Sequence, residues 1–387
     1  MRLKLGAFER VHRDALERLV RERAVDRLWA GDPALWKKNE SDRASIQDSL
    51  GWLSLPERME PGSAELASFA EGISGEADRV LIVGARPLNL ASLVFARSFR
   101  RAAGYAAVEV LDAGDPSGAL EVVGRCDRAR TIFVLSSRSG ADLEPGLVDA
   151  IFDRAGRGIA DSAGDRVLVI TESGSDLERK AAAWKARRVF PGDPQTDDRY
   201  GALSNFGLVP AALGGVDVLE LLQRARKMAE LCRRDAPGNP GAILGSAMAA
   251  LAMKGRDKLT FSVGRPVESF GLWAQELIDQ SVGAAIRPVD GEALGRAADY
   301  SGDRLFVRID VEGKDNTADR DRLSALAAEG HPTVHYELSG ALDLGAEMFR
   351  WEFATAVAGA LLGIDPFGPE VRETGGQPGA SPPEGSR

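Results

Sequence analysis

A chain of 387 residues, 44% hydrophobic and 28% charged, has apolar material for more than one domain, which excludes a small stapled scaffold and a disordered chain. Its formal charge of −9, from 49 Lys and Arg against 58 Asp and Glu, excludes a large nucleic-acid footprint, since phosphate backbones are held by net basic surfaces. Two cysteines, Cys126 and Cys232, lie far apart without CxxC or Cys/His spacing; they support neither a disulfide framework nor a structural zinc and read as core residues.

The opening MRLKLGAFERVHRDALERL is charged and amphipathic and lacks the apolar centre of a signal peptide. No apolar run reaches the roughly 18 residues of a membrane span, so no membrane partner and a cytoplasmic location are expected. Apolar positions recur at helical spacing over 7–30, with Trp29, Trp36 and Trp52 beyond, so residues 1–60 are expected to be a helical extension packed on a larger body. A first α/β unit is expected over 61–235. Strands are predicted at 80–83, 107–111, 131–135 and 167–171, with helices at 88–103, 143–155 and 176–183 between or after them. Short, wholly apolar strands alternating with helices imply a parallel sheet covered on both faces.

A helical stretch over 205–235 and the run DAPGNPG at 235–241 mark the boundary to a second unit, 236–373. Its predicted strands are 258–263, 304–309 and 333–338, and its helices 270–281, 320–329 and a C-terminal one at 341–362. The tail 374–387, rich in Gly, Pro and Ser, is expected to be disordered. The fold class is therefore α/β, with two doubly wound parallel-sheet domains behind a helical N-terminal extension.

Ligands of open parallel sheets sit outside the carboxyl ends of the strands. The loop Ser136-Ser137-Arg138-Ser139-Gly140 follows one such strand and precedes a helix. Hydroxyls, a glycine and free N–H groups there suit a phosphate monoester; the alternative is a polar turn whose serines only cap the helix. Asp142 opposes a bound phosphate, and Arg138 is the cation that would offset it. In DDRYGALS, Arg199 either offers its fork to a phosphate or enediolate oxygen, or neutralises Asp197 or Asp198 at a helix start. Glu276 and Gln280 share a helix face at i,i+4. His12, His331 and His335 show no HxxxH or HExxH spacing, so no metal is expected. Gly84 is followed by Ala85-Arg86-Pro87-Leu88-Asn89 rather than GxGxxG, which argues against a dinucleotide.

Three blocks, VLSSRSGADLEP (134–145), DDRYGALSNFGLVPAALGGVDV (197–218) and FRWEFATAVAGALLGIDPFGPEV (349–371), resemble phosphoglucose isomerases, most of all the isomerase half of bacterial fused transaldolase–glucose-6-phosphate isomerases. The likeness extends back through LWAGDPALWKKN (28–39) and LGWLSLPERM (50–59). It implies two sugar-isomerase (SIS-type) domains, a homodimer with active sites near the subunit boundary, and interconversion of glucose 6-phosphate and fructose 6-phosphate without metal or cofactor. A base moves a proton between C1 and C2 through a cis-enediol while an Arg stabilises the oxyanion.

Carried over residue by residue, Ser137, Arg138, Ser139 and Gly140 match the family's SKSGTT, with Ala141 and Asp142 replacing its threonines. Arg199 and Tyr200 match GGRYS, and Arg86 to Asn89, after Gly84, stand in place of GGSS. Gln280-Ser281-Val282-Gly283-Ala284 stands where the base motif ESTGK belongs, putting an amide at the base position, with Glu276 one turn earlier as a substitute. The lysine after the NPFDQP-like segment is missing, Arg372 being the nearest cation. Two readings follow. One is a divergent, impaired glucose-6-phosphate isomerase using Arg199, Glu276, Ser137 and Ser139. The other is a non-catalytic sugar-phosphate sensor, or a partner of carbon-metabolism enzymes, on the same fold.

Overall fold

The computed structural model describes residues 1–37, 43–156, 163–314 and 316–368. The chain opens with β1 (Arg2–Lys4), α1 (Glu9–Arg21), α2 (Ala24–Trp29), α3 (Arg43–Gln47), α4 (Leu55–Met59) and α5 (Ser63–Ile73). The helical reading of 7–30 holds, with a break at Glu22 and Arg23. The tryptophans anchor this segment: Trp29 stacks on Phe349 at 6.1 Å, and Trp36 meets Phe367 edge-on at 5.2 Å.

The first sheet alternates β2 (Arg79–Gly84), α6 (Arg86–Ser98), β3 (Ala107–Asp112), α7 (Pro116–Arg125), β4 (Thr131–Ser136), α8 (Pro145–Gly156), β5 (Val167–Thr171), α9 (Asp176–Ala183) and β6 (Arg188–Pro191). Its order is β3-β2-β4-β5-β6, with every pair parallel. The continuous apolar runs of β2, β4 and β5 are explained by two cores, one on each face. Val80, Ile82, Ile132, Val134, Leu168 and Ile170 enter one, and Leu81, Val83, Phe133, Leu135, Val167 and Val169 the other.

Then come α10 (Asn205–Leu213), α11 (Val218–Leu231), α12 (Pro240–Ala252), β7 (Lys258–Val263), α13 (Phe270–Val282), β8 (Arg287–Val289), β9 (Arg304–Val311), α14 (Thr317–Ala328), β10 (Thr333–Leu338) and α15 (Leu344–Leu362). The second sheet has the order β1-β10-β9-β7-β8, parallel except for the antiparallel edge strand β1. That strand comes from the segment read as purely helical. The stretch read as one helix over 205–235 is two, α10 and α11, parted at Gly214 and Gly215; the φ of +81° at Gly215 suits a residue without Cβ.

Buried α15 carries the second unit. Gly245 of α12 lets the two helices close, for a Cβ there would lie 2.3 Å from the Ala354 carbonyl. His12 is held to α12 by the Ile243 carbonyl and the Ser246 hydroxyl, and both cysteines are buried and free. No helix among the described residues is long and apolar enough to cross a membrane. Arg372 and the tail 374–387 lie outside the described residues.

Candidate functional site

The carboxyl ends of β2, β4 and β5 face the segment 193–200 and the last turns of α13. After β4 the chain turns through Ser137 and Gly140. The Ser137 hydroxyl accepts from the Gly140 N–H at 2.8 Å and donates to the Asp142 carboxylate. The Ser139 hydroxyl accepts from the Ala141 N–H at 3.2 Å. Both hydroxyls therefore serve the turn itself, and the anion seated on it is the chain's own Asp142.

Arg138 does not offset Asp142. Its Nε donates to Glu172, directly after β5, and its Nη1 donates to Asp198 at 3.0 Å. The carbonyls of Thr196 (3.1 Å) and Pro194 (3.2 Å) take the remaining arms. Burial opposes the charge on Arg138, but Asp198 and Glu172 outweigh it and hold the guanidinium above its ordinary value. Burial likewise raises the Asp198 carboxyl, against the pull of Arg138.

Arg199 is more tightly committed. Its Nε and Nη2 fork onto the two oxygens of Asp197, each at 2.7 Å; Nη1 donates to the Gln280 carbonyl at 2.7 Å and Nη2 to the Gly368 carbonyl at 3.2 Å. A guanidinium has five N–H groups, so one is left. With its side chain 9% exposed, Arg199 clasps three segments together. Asp197 also accepts the Arg199 backbone N–H at 3.0 Å, capping a short turn that buries Tyr200 against Trp52 and Phe367.

On α13, the Gln280 amide donates to Glu276 Oε1 at 2.6 Å, and Arg86 Nε lies 4.0 Å from Glu276 Oε2. Arg86 and Pro87 open α6, where a missing proline N–H costs no helical bond. Asn89 Nδ2 donates to the Ala85 carbonyl at 2.9 Å. A Cβ on Gly84 would stand 2.1 Å from the Ser136 carbonyl, so glycine is required for β2 to end beside β4. Beneath this surface the Glu352 carboxyl is fully buried, and burial pushes it well above the usual carboxylate range.

The predicted residues thus form one chain of contacts, from the Ser137 turn through Arg138, Asp198 and Arg199 to Gln280, Glu276 and Arg86. Sequence reading directed attention to the loop 171–176 as the end of a parallel strand but gave Glu172 no role within it, and it missed the Gly368 carbonyl. Asp142, Glu172, Asp197, Asp198 and Glu276 confront three arginines, so the cleft is acidic on balance. Among the described residues, no group of three or more His, Cys, Asp or Glu side chains is placed to hold a metal ion.

No protein-family model matches the chain. It is 28% identical over 307 residues to a glucose-6-phosphate isomerase of Synechococcus sp. (strain JA-2-3B'a(2-13)), covering 77% of this chain and 54% of the relative. It is 33% identical over 218 residues to that of Geobacter sp. (strain M21), covering 54% and 38%. The matched part of the chain thus spans 54% and 38% of the length of these two relatives. Among solved structures, a hypothetical protein from Thermus thermophilus superposes with a TM-score of 0.78 at 19% identity, covering 95% of this chain and 96% of that one. A glucose-6-phosphate isomerase from Chlamydia trachomatis D/UW-3/Cx superposes with a TM-score of 0.65 at 17% identity, covering 89% and 74%. The fold is that of phosphosugar isomerases, and the sequence is distantly related to glucose-6-phosphate isomerases.

Proposed function

We propose that this chain binds a sugar phosphate on an isomerase scaffold and turns over glucose 6-phosphate and fructose 6-phosphate far more slowly than a competent isomerase. The observation that carries the reading is the closure of Arg199 onto Asp197, Gln280 and Gly368, which leaves a single N–H for a developing oxyanion. Loss of one oxyanion donor costs roughly 100- to 1,000-fold. The amide at Gln280 removes a positioned base at the family's position, a further loss of roughly 100- to 10,000-fold. A phosphate entering the Ser137 turn must also displace Asp142. Ser137, Ser139 and the Gly140 N–H would hold it, with Gly84 allowing close approach of the sugar.

A second reading keeps catalysis with Glu276 as the base; the Gln280 amide and Arg86 orient its carboxylate toward the same cleft. A coupled assay from fructose 6-phosphate, on protein made in a host lacking its own isomerase, separates them. The binding reading expects negligible turnover with a rise in melting temperature on adding glucose 6-phosphate. Turnover that disappears in Glu276→Gln decides for the second. A homodimer and a carbon-metabolism enzyme partner belong to the same reading, checked by sedimentation and by pull-down from lysate.

A further inference from the structure

A cavity of about 410 Å³ opens at the edge of the second sheet, between β1, β10 and α14. Its size is that of a small-molecule site. In the antiparallel pairing, Arg2 stands opposite His335 and Lys4 opposite Thr333, and all four line the cavity together with Ser324 of α14. Residues opposite one another across a strand pair share a face.

The acids at this face are already neutralised. Asp310, wholly buried, accepts from Arg308 Nε at 2.7 Å, Arg320 Nε at 2.6 Å and His335 Nε2 at 2.8 Å. Asp319 takes Arg308 Nη1 at 2.8 Å, and Glu337, the acid on the cavity wall, takes the other arm of Arg320. The side chains of Arg2 and Lys4, by contrast, have no hydrogen bond or ion pair among the described residues. A chain with formal charge −9 thus sets two uncompensated cations two residues apart, facing a histidine and two hydroxyls. Charged side chains on an edge strand ordinarily deter pairing with a second sheet by facing solvent. Here they line a concavity. The bond from His335 Nε2 to Asp310 leaves Nδ1 as the ring atom available to a ligand.

We propose that this cavity is an anion site, separate from the Ser137 cleft and independent of the function proposed there, that takes a small organic phosphate. Arg2 supplies a planar fork and Lys4 a point charge, while the Ser324 and Thr333 hydroxyls supply the orienting hydrogen bonds and the His335 ring lies on the same wall. The chain holds only three histidines, so the imidazole resonances can be assigned one by one from His→Asn variants.

The test titrates the full chain with inorganic pyrophosphate and follows those resonances together with binding heat. The expected result is a saturable shift at His335 with His12 and His331 unmoved. Binding should weaken at least tenfold in Arg2→Gln/Lys4→Gln and more than threefold in Lys4→Gln alone. That single change sits at an exposed strand position, so it tests the site even if the double variant folds poorly. Ser137→Ala should retain the full His335 shift, which separates this site from the cleft. Pyrophosphate that leaves His335 unmoved, or binds Lys4→Gln as tightly as the unsubstituted chain, overturns the proposal.

Discussion

Glu276 and Gln280 meet one turn apart on α13, with Nε2 2.6 Å from Oε1. Gln280→Glu would set two carboxylates at that contact. Their unrelaxed repulsion at 2.6 Å is about 6 kcal/mol at an effective dielectric of about 20, and about 2 kcal/mol in water. Proton uptake offers another way out: keeping one carboxyl protonated at pH 7 costs about 4 kcal/mol from an ordinary value near 4.3. These limits put the loss of stability at about 2–4 kcal/mol. Its pH dependence follows from linkage. The folded variant carries one carboxyl raised above its unfolded value, so the loss is absent below about pH 4, grows as pH rises to the folded value and then levels off. The reciprocal swap, Glu276→Gln with Gln280→Glu, restores one amide and one carboxylate and should recover most of the stability. Urea unfolding of the four proteins at pH 4.5 and pH 7.5 completes the double-mutant cycle. If Gln280→Glu stays within about 0.5 kcal/mol of the unsubstituted chain at pH 7.5, the two side chains do not face each other and the description of the cleft is wrong.

Asp142→Asn takes the negative charge off the Ser137 turn and should strengthen binding of inorganic phosphate there about tenfold, read by calorimetry; unchanged affinity would show that Asp142 does not guard the turn. Asp310→Asn strips Arg308, Arg320 and His335 of their shared anion and should cost about 3–5 kcal/mol in urea at neutral pH. Although burial alone would raise it, the bonds from His335, Arg320 and Arg308 lower the Asp310 carboxyl to about 2 from 3.8. Its contribution is therefore present above 3.8 and lost as pH falls through about 2, so the gap between the two proteins should narrow across that window. Glu352, raised by burial, contributes stability that is complete below its unfolded value of 4.5 and is lost as pH rises toward the folded one. Glu352→Gln, which mimics the protonated acid, should flatten the decline in stability from pH 5 to 7; an unchanged slope would place that decline elsewhere.

The sequence marked best the strands that read as short apolar runs between turn signals, whether buried on both faces as β5 is or open on one as β10 is. The runs at 167–171, 258–263 and 333–338 coincide with β5, β7 and β10, because apolar runs bounded by turn residues leave little choice of register. Strands β1, β6 and β8, of three or four residues, carry too little alternation to register. Helix α12 was missed because PGAILGSAMAALA is apolar all round and so has no polar face to set its period. In the cleft, residue types and spacings pointed to the right loops but not to their internal pairings. Arg138 finds Glu172 and Asp198 at separations of 34 and 60 residues, which no local pattern encodes. The bond between Arg199 and Asp197 is local, and it was one of the two alternatives that spacing left open.

The pairing of Arg2–Lys4 with Thr333–His335 joins the first strand of the described polypeptide to the last. The whole first sheet is thereby looped out as an insertion within the second. During synthesis the inserted layer has all its strands once Pro191 has emerged, whereas the enclosing layer must wait for Leu338 while its first strand stands idle. Severing the backbone near the 235–241 linker would accordingly yield no pair of self-sufficient halves. The leading fragment would retain an orphan ribbon, and the trailing one would expose a raw β10 margin.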